Sequence, residues 1–383
     1  MNNVSGLEAC RVCSGKDTEC RDHILGMPVH MWPVASKGPH KSLNLELHLC
    51  KDCGHAQLQS MTSELVGTFY EAGVFVEDNS AGHASRLSAL KNIYGNDCLR
   101  GVSVLDIGGG NNPFVGLLPE AQRWVSDIVV TDVARAASDH VIEGDFPSAN
   151  IADNSFDLIT AFHTMEHFPE PALAVEKMAA CLKQDGLVLI EVPNFEIYTR
   201  ALPHYALFLQ HQSYFHRQSL IRLMARFGLE LDHMIREDIV LLAVFKKTGN
   251  TSFDSFGAYD FACRVVALRQ KAIKYTSDML QEQLKNVSRP MIYGAGGSTS
   301  TLLTVLPWLR EKIVAVFDRS PEKHGKYIPG TDVRVAPPEN IEQESGDALI
   351  FLASDLCELM SDTVSVKCVD AGKILSTSCD AIN

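Results

Sequence analysis

No stretch of this 383-residue sequence is apolar for long enough to span a bilayer, and no charged-then-apolar leader opens it. The two absences lead to the expectation of a cytoplasmic protein with no membrane partner. Positive charge is scarce too: 34 Lys and Arg stand against 47 Asp and Glu, a formal net charge of −13. So acidic a chain lacks the electrostatic footprint of a general nucleic-acid binder. No nucleic-acid partner is expected, and a small or nucleotide-linked substrate is the easier fit. Hydrophobic residues at 46% leave ample material for packed cores, and the length favours two or three domains. Nothing in the sequence bears on oligomeric state.

In a reducing compartment the 11 cysteines do not build a disulfide framework. Four of them have another use. Cys10-Arg-Val-Cys13 and Cys50-Lys-Asp-Cys53 are two CxxC pairs, each able to form a knuckle that presents two thiolates. Two knuckles complete a tetrahedral Zn²⁺ site with no open position, so the expected metal is structural. His48, His55 and Cys20 are substitute ligands, and two unrelated pairs of reduced cysteines are the plain alternative.

Three segments differ in texture. Residues 1–75 are rich in Cys, His, Pro and Gly and are read as the zinc-binding module. Residues 76–250 alternate short apolar runs with helical patterns, as a parallel sheet with crossover helices does. A polar linker, Lys247 to Gly257, leads to residues 251–383, where a long helical pattern precedes a second strand–glycine–helix unit at Met291 to Leu309.

Within the middle segment, the apolar run Val102 to Ile107 carries Asp106 and ends in three glycines. Glycine at Gly108 and Gly110 lets the chain turn sharply and brings backbone amides against a ligand. Pro113 stands where a dinucleotide fingerprint needs a small residue, which argues against NAD. Asp127 to Asp132 is read as a second strand ending in Asp132, whose carboxylate would accept both ribose hydroxyls. Asp145 and Phe146 follow, a carboxylate for an adenine amino group and a ring for its face. A fourth strand then runs into a polar loop bearing His163, Glu166 and His167. We expect His163 to touch the cofactor and His167 the substrate. The plain alternative at each step is an ordinary strand end with a solvated side chain. Leu187 to Val192 is a buried strand, and the runs near Leu229 and Ile239 to Phe245 are a closing pair, the last one antiparallel.

The glycine loop resembles the first motif of class I methyltransferases, which implies S-adenosylmethionine as cofactor. The whole order resembles the sugar C-methyltransferases: a zinc module held by four cysteines, a class I methyltransferase domain, and a C-terminal Rossmann-like domain. The C-terminal marks are Tyr293-Gly-Ala-Gly296-Gly-Ser and Val316-Phe-Asp318-Arg-Ser-Pro. A second dinucleotide site is the competing reading of that loop. The implied fold is α/β, a class I Rossmann-like sheet with a second Rossmann-like domain, and the implied partner is a nucleotide-linked keto-deoxysugar. In the family a Tyr-x-Glu-His segment followed by Tyr-Phe performs the base step. Here the corresponding stretch is Phe208-Leu-Gln210-His211-Gln-Ser-Tyr214-Phe215-His216. His211, with His167 and Tyr214, is carried over as catalytic. Phe208 cannot donate to an enolate, and Gln210 cannot hold an imidazolium as a carboxylate would. Tyr70, Glu166 and His216 are the residues able to compensate. Substrate contacts are expected at these three and at Asn194, Tyr293 and Gly296. O- or N-methylation of a small metabolite is the alternative chemistry, since the methyl donor is already activated.

Overall fold

The computed structural model describes residues 4–5, 7–38, 40–61, 80–253, 257–344, 346–361 and 364–381. Tyr70 lies outside the described residues. The chain divides into two compact units, neither contiguous in sequence. The first takes residues 1–19, 48–195 and 211–262, and the second takes 20–47, 196–210 and 263–383.

The first unit is built on seven strands: β1 (Ser103–Ile107), β2 (Gln122–Asp127), β3 (His140–Glu143), β4 (Phe156–Phe162), β5 (Leu182–Pro193), β6 (Leu229–Glu237) and β7 (Val240–Lys247). Their order across the sheet is β6-β7-β5-β4-β1-β2-β3. β1 to β5 run parallel, and β7 pairs antiparallel with both β5 and β6, Leu189 facing Val244. Side chains alternate across this sheet, as the two-residue period of a strand requires. Leu105, Ile107, Val188, Ile190, Leu241, Ala243 and Phe245 fill one core with Met178, Cys181, Leu220 and Leu223. Val104, Leu189, Leu242 and Val244 fill the other with Leu90, Phe114, Val115 and Ala134. At about 1.5–3 kcal/mol for each large apolar side chain buried, this double-sided packing fixes the strand register far more firmly than local propensity could.

Two readings of the sequence change here. The second strand ends at Asp127, not Asp132. Thr131 caps a helix over Asp132–Ala137, its hydroxyl accepting from the Ala134 amide at 3.3 Å. An N-cap threonine followed by an acid in the first turn is a helix start, and it overrides the β-propensity of Ile128-Val-Val130. The cysteine segment, for its part, is no satellite. Cys10, Val12, Cys50 and Cys53 share one core with Ile107, Met165 and Phe215.

The second unit carries a parallel five-stranded sheet of β8 (Pro290–Tyr293), β9 (Ala315–Phe317), β10 (Val335–Ala336), β11 (Ala348–Phe351) and β12 (Lys367–Asp370). Their order is β10-β9-β8-β11-β12. Residues 20–47 belong to it: Ser300 Oγ donates to the Met31 carbonyl at 2.7 Å, and buried Arg269 pairs with Asp22. Among the described residues no helix is long and apolar enough to cross a membrane.

Candidate active site

The four cysteines come together as the spacing predicts. Cys10 and Cys53 Sγ are 3.5 Å apart, as are Cys13 and Cys50, and all four sulfurs lie within 4.8 Å of one another. None is in a disulfide. Tetrahedral Zn–S bonds of about 2.3 Å imply sulfur separations of about 3.8 Å, so the cluster is compatible with Zn²⁺. The backbone supports it: the Val12 and Gly15 amides each approach a cysteine sulfur at 3.4 Å. His55 is not among the residues of the cluster, and its Nε2 meets Ser213 Oγ at 3.2 Å.

The strand order reverses between β1 and β4, and in open α/β sheets ligands bind outside the carboxyl ends of the strands at that point. A cavity of about 150 Å³ lies there. Ile107 and Gly108 line it after β1, Ser126, Asp127 and Ile128 at the end of β2, and Gly144, Asp145 and Phe146 after β3. Thr164, His167, Phe168 and Pro169 line it after β4. The loop requires its glycines. Gly108 has φ +81°, and a Cβ there would lie 2.1 Å from Thr164 Oγ1. A Cβ on Gly110 would lie 2.1 Å from the Val129 carbonyl oxygen.

Asp106 is placed beneath this loop and does not line the cavity. Its two oxygens accept from Thr160 Oγ1 at 2.6 Å and from the Phe114 amide at 2.7 Å. Burial pushes its carboxyl up to about 6 against those two hydrogen bonds. It holds the loop instead of facing a ligand. Asp127 stands where Asp132 was expected. Its carboxylate accepts from the Gly110 amide at 2.8 Å and the Val129 amide at 3.2 Å while lining the cavity. Burial raises its pKa, and the backbone amides oppose that shift. Asp132 is in the helix and does not line the cavity. Asp145 and Phe146 line it, and Asp145 also accepts from Ser148 Oγ at 2.7 Å.

Past β4 the polar loop forms a charge network. His163 has φ +49°, and its Nε2 lies 3.0 Å from Glu191 Oε1, with Nδ1 3.5 Å from Glu166. Burial works against the cation, but the carboxylates of Glu166 and Glu191 beside it raise His163 to about 9, so it is an imidazolium at neutral pH. Glu191 is shared with Arg86, whose Nε donates at 3.1 Å. Arg86 also bonds His83 Nδ1 at 2.9 Å, and His83 Nε2 reaches the Asn112 carbonyl of the glycine loop at 2.9 Å. Glu191 and Glu166 are both held near 2: burial opposes ionisation in each, and the neighbouring cations overcome it.

Glu166 is 1% exposed and has His163, His167 and His211 around it. His211 Nε2 is 3.9 Å from Glu166 Oε1, and the His211 ring meets His167 edge-on at 4.8 Å between centroids. Burial, with His167 beside it, takes His211 down to about 3 despite the Glu166 charge, so its imidazole is neutral. Tyr214 is buried, 6.1 Å from His211 between ring centroids. The structure thus gathers His163, Glu166, His167, His211 and Tyr214 beside the cavity.

Other expected residues are used differently. His216 is committed to the fold: its ring caps the helix Arg217–Ala225, and Nε2 meets the Gly54 carbonyl at 3.1 Å. With both nitrogens engaged, it stands as a packing group in place of the expected substrate contact. Asn194 is buried after β5, its backbone N–H donating to the Ile239 carbonyl at 3.0 Å. Tyr293 ends β8 stacked on Phe351, centroids 5.5 Å apart, and Gly296 caps the helix Gly297–Val305. Asp318 accepts from the Ala295 amide at 2.7 Å and from Lys323 at 2.9 Å. Phe208 stacks on Tyr205 at 5.0 Å. Sequence reasoning missed His83, Arg86 and Glu191. A lone glutamate in the apolar run of β5 was the available signal, since a buried carboxylate requires a cation.

Comparison with known proteins agrees with this geometry. Residues 81–234 match the model of a methyltransferase domain, and residues 239–374 match that of the C-methyltransferase C-terminal domain. With the sheet order, the first match gives the first unit the fold of the class I S-adenosylmethionine-dependent methyltransferases. Between them the two matched segments take in most of the chain. Over 122 residues it is 32% identical to the ubiquinone biosynthesis O-methyltransferase of Neisseria meningitidis serogroup C (strain 053442), covering 27% of this chain and 50% of that protein. The chain spans about half the length of the curated relatives it matches. Among solved structures, a SAM-dependent methyltransferase of Thermotoga maritima aligns at 18% identity and a TM-score of 0.36, over 43% of this chain and 89% of that one. One from Methanosarcina mazei aligns at 14% identity and 0.34, over 40% and 96%.

Proposed function

We propose that the enzyme methylates a carbon beside the keto group of a nucleotide-linked deoxysugar. The observation that carries this reading is the cluster of Glu166, His167 and His211 beside the cavity, with His167 belonging to both. When bound, S-adenosylmethionine supplies an electrophilic methyl group on a positively charged sulfur. We assign its ribose to Asp127, and its adenine to Asp145 and the ring of Phe146. The Gly108–Gly110 loop, held from beneath by Asp106, takes the methionine side, with His163 as a nearby cation. His211 takes the α-proton, for which a neutral imidazole is needed. Glu166 then stands toward the new imidazolium, the part Gln210 cannot play. Tyr214 packs beside His211, and His167 and Asn194 are placed on the acceptor side. Tyr293 and Gly296 are assigned to the nucleotide-sugar, and Tyr70 is retained as an acceptor-side candidate from the sequence. The four cysteines hold Zn²⁺ in a structural role.

One specific observation favours a second reading, O-methylation: the likeness to an O-methyltransferase over 122 residues. Mass spectrometry decides between them. Incubation with labelled cofactor and a panel of nucleotide-linked ketosugars in deuterated water should give C-methylated product and deuterium at the α-carbon. Both should disappear in His211→Ala. Methyl transfer with no exchange at carbon would establish the O-methyl reading instead.

A further inference from the structure

The three side chains beside the cavity have the make-up of a metal site. Glu166, His167 and His211 each offer one ligand atom, and these atoms lie within 4.8 Å of one another. Two of the three residues are consecutive in the short 3₁₀ turn Met165–His167, while His211 comes from a distant part of the sequence. A cluster alone would carry little weight. The second observation is Glu166 itself: at 1% exposure, neither of its carboxylate oxygens has a hydrogen-bond partner. Its surroundings are imidazoles, the nearest being His163 Nδ1 at 3.5 Å and His211 Nε2 at 3.9 Å. A buried carboxylate with unmade hydrogen bonds is costly unless something else occupies those lone pairs. Two histidines and one carboxylate with further positions open is a recurrent donor set for divalent first-row cations.

We propose that Glu166, His167 and His211 bind a divalent cation of the Mn²⁺, Fe²⁺, Co²⁺ or Zn²⁺ class, placed to engage an oxygen of the methyl acceptor. Ligand bonds of about 2.0–2.2 Å set adjacent donors about 3 Å apart and opposite donors about 4.3 Å apart. The 3.9 Å between His211 Nε2 and Glu166 Oε1 falls between those two separations. The site is distinct from the four-cysteine cluster in donors: thiolates select Zn²⁺, whereas a carboxylate with imidazoles accepts Mn²⁺. It faces acceptor chemistry because His167 also lines the cavity. The inference rests on the methyltransferase reading of that cavity and alters one role within it. Ligation and proton abstraction are alternative uses of the His211 imidazole. With the cation bound, a keto or hydroxyl oxygen of the acceptor coordinates it, and the acidified proton leaves to water. The carbon or oxygen lone pair so released forms the new bond to the methyl group, and the sulfur keeps the electron pair of the bond that breaks.

The test uses the full chain with zinc in its cysteine site, treated with a mild chelator and titrated with Mn²⁺ alone under electron paramagnetic resonance. One Mn²⁺ per chain with nitrogen coupling is expected. Glu166→Gln should weaken it at least about tenfold, and His211→Asn should remove part of the nitrogen coupling. Titration with S-adenosylmethionine runs alongside on every variant as the measure of folding, since neither residue lines the cavity. No Mn²⁺ binding, or binding unchanged in both variants, overturns the cation site while leaving the methyltransferase reading intact. Loss of cofactor binding by the unaltered chain would instead overturn the reading of the cavity.

Discussion

Glu166 and His211 stand 3.9 Å apart, carboxylate to imidazole, although one follows the fourth strand and the other precedes the short strand Ser213–Tyr214. The Gln212 amide donates to the Glu166 carbonyl at 2.8 Å, which ties the two segments together. A carboxylate therefore reaches His211 from another element, and the glutamine at position 210 does not leave it without one.

Glu166→Gln should separate chemistry from cofactor binding. It keeps the shape and removes the charge, so we expect turnover to fall by about 10²-fold or more, the usual scale for a disabled acid–base pair. The dissociation constant for S-adenosylmethionine should stay within about threefold, because Glu166 does not line the cavity. Steady-state kinetics with calorimetric titration measures both. Equal losses in the two would reject the assignment.

Asp127 and Asp132 give opposite expectations. Asp127→Asn should weaken cofactor binding by roughly 10–100-fold, the equivalent of a charged hydrogen bond at about 1.5–3 kcal/mol. Asp132→Ala should leave affinity unchanged and cost only its small effect on the helix N-terminus. The reverse ranking in a titration would restore Asp132 as the ribose residue.

Because the cysteine sulfurs share a core with Ile107 and Phe215, metal loss should be felt by the methyltransferase fold itself. Cys50→Ser is expected to lose one zinc per chain by elemental analysis and to lower the melting temperature of the first unit. A variant that loses zinc yet melts unchanged would show that the cluster is an independent appendage.

Asp106 makes a pH prediction. Its carboxyl is raised from 3.8 to about 6, so the folded state holds the proton more tightly than the unfolded chain does. Its favourable contribution is complete below 3.8, is lost as pH rises through about 6, and stays constant above that. Denaturant titrations at pH of about 4.5 and about 7.5 should therefore show wild type losing ground to Asp106→Asn at the higher pH. A difference that does not vary with pH would place the Asp106 carboxyl in its ordinary range.

Much of this was legible in one dimension. The glycine loop, the strand sequence, the antiparallel last strand and the paired cysteines are local patterns, and each carries its own physical signature. What was not legible is three-dimensional pairing. Asp132 reads as the strand end because an apolar run reads as strand until the cap at Thr131 is weighed against it. Asp106 reads as a ligand contact because its spacing is right, but a side chain's direction depends on Thr160 and Phe114, which the spacing does not encode. Arg86 and Glu191 belong to a helix and a strand far apart in sequence, and only the fold brings them together. The approach of Glu166 to His211 is not encoded in spacing, because proximity between a 3₁₀ turn and a later loop follows from packing.

The chain enters and leaves its second unit repeatedly, through residues 20–47, 196–210 and 263–383. A fragment ending at the polar linker near residue 250 would keep two of those segments while losing the sheet they belong with. No single cut yields two self-sufficient halves. Recombination at one junction therefore cannot exchange the second unit like a cassette.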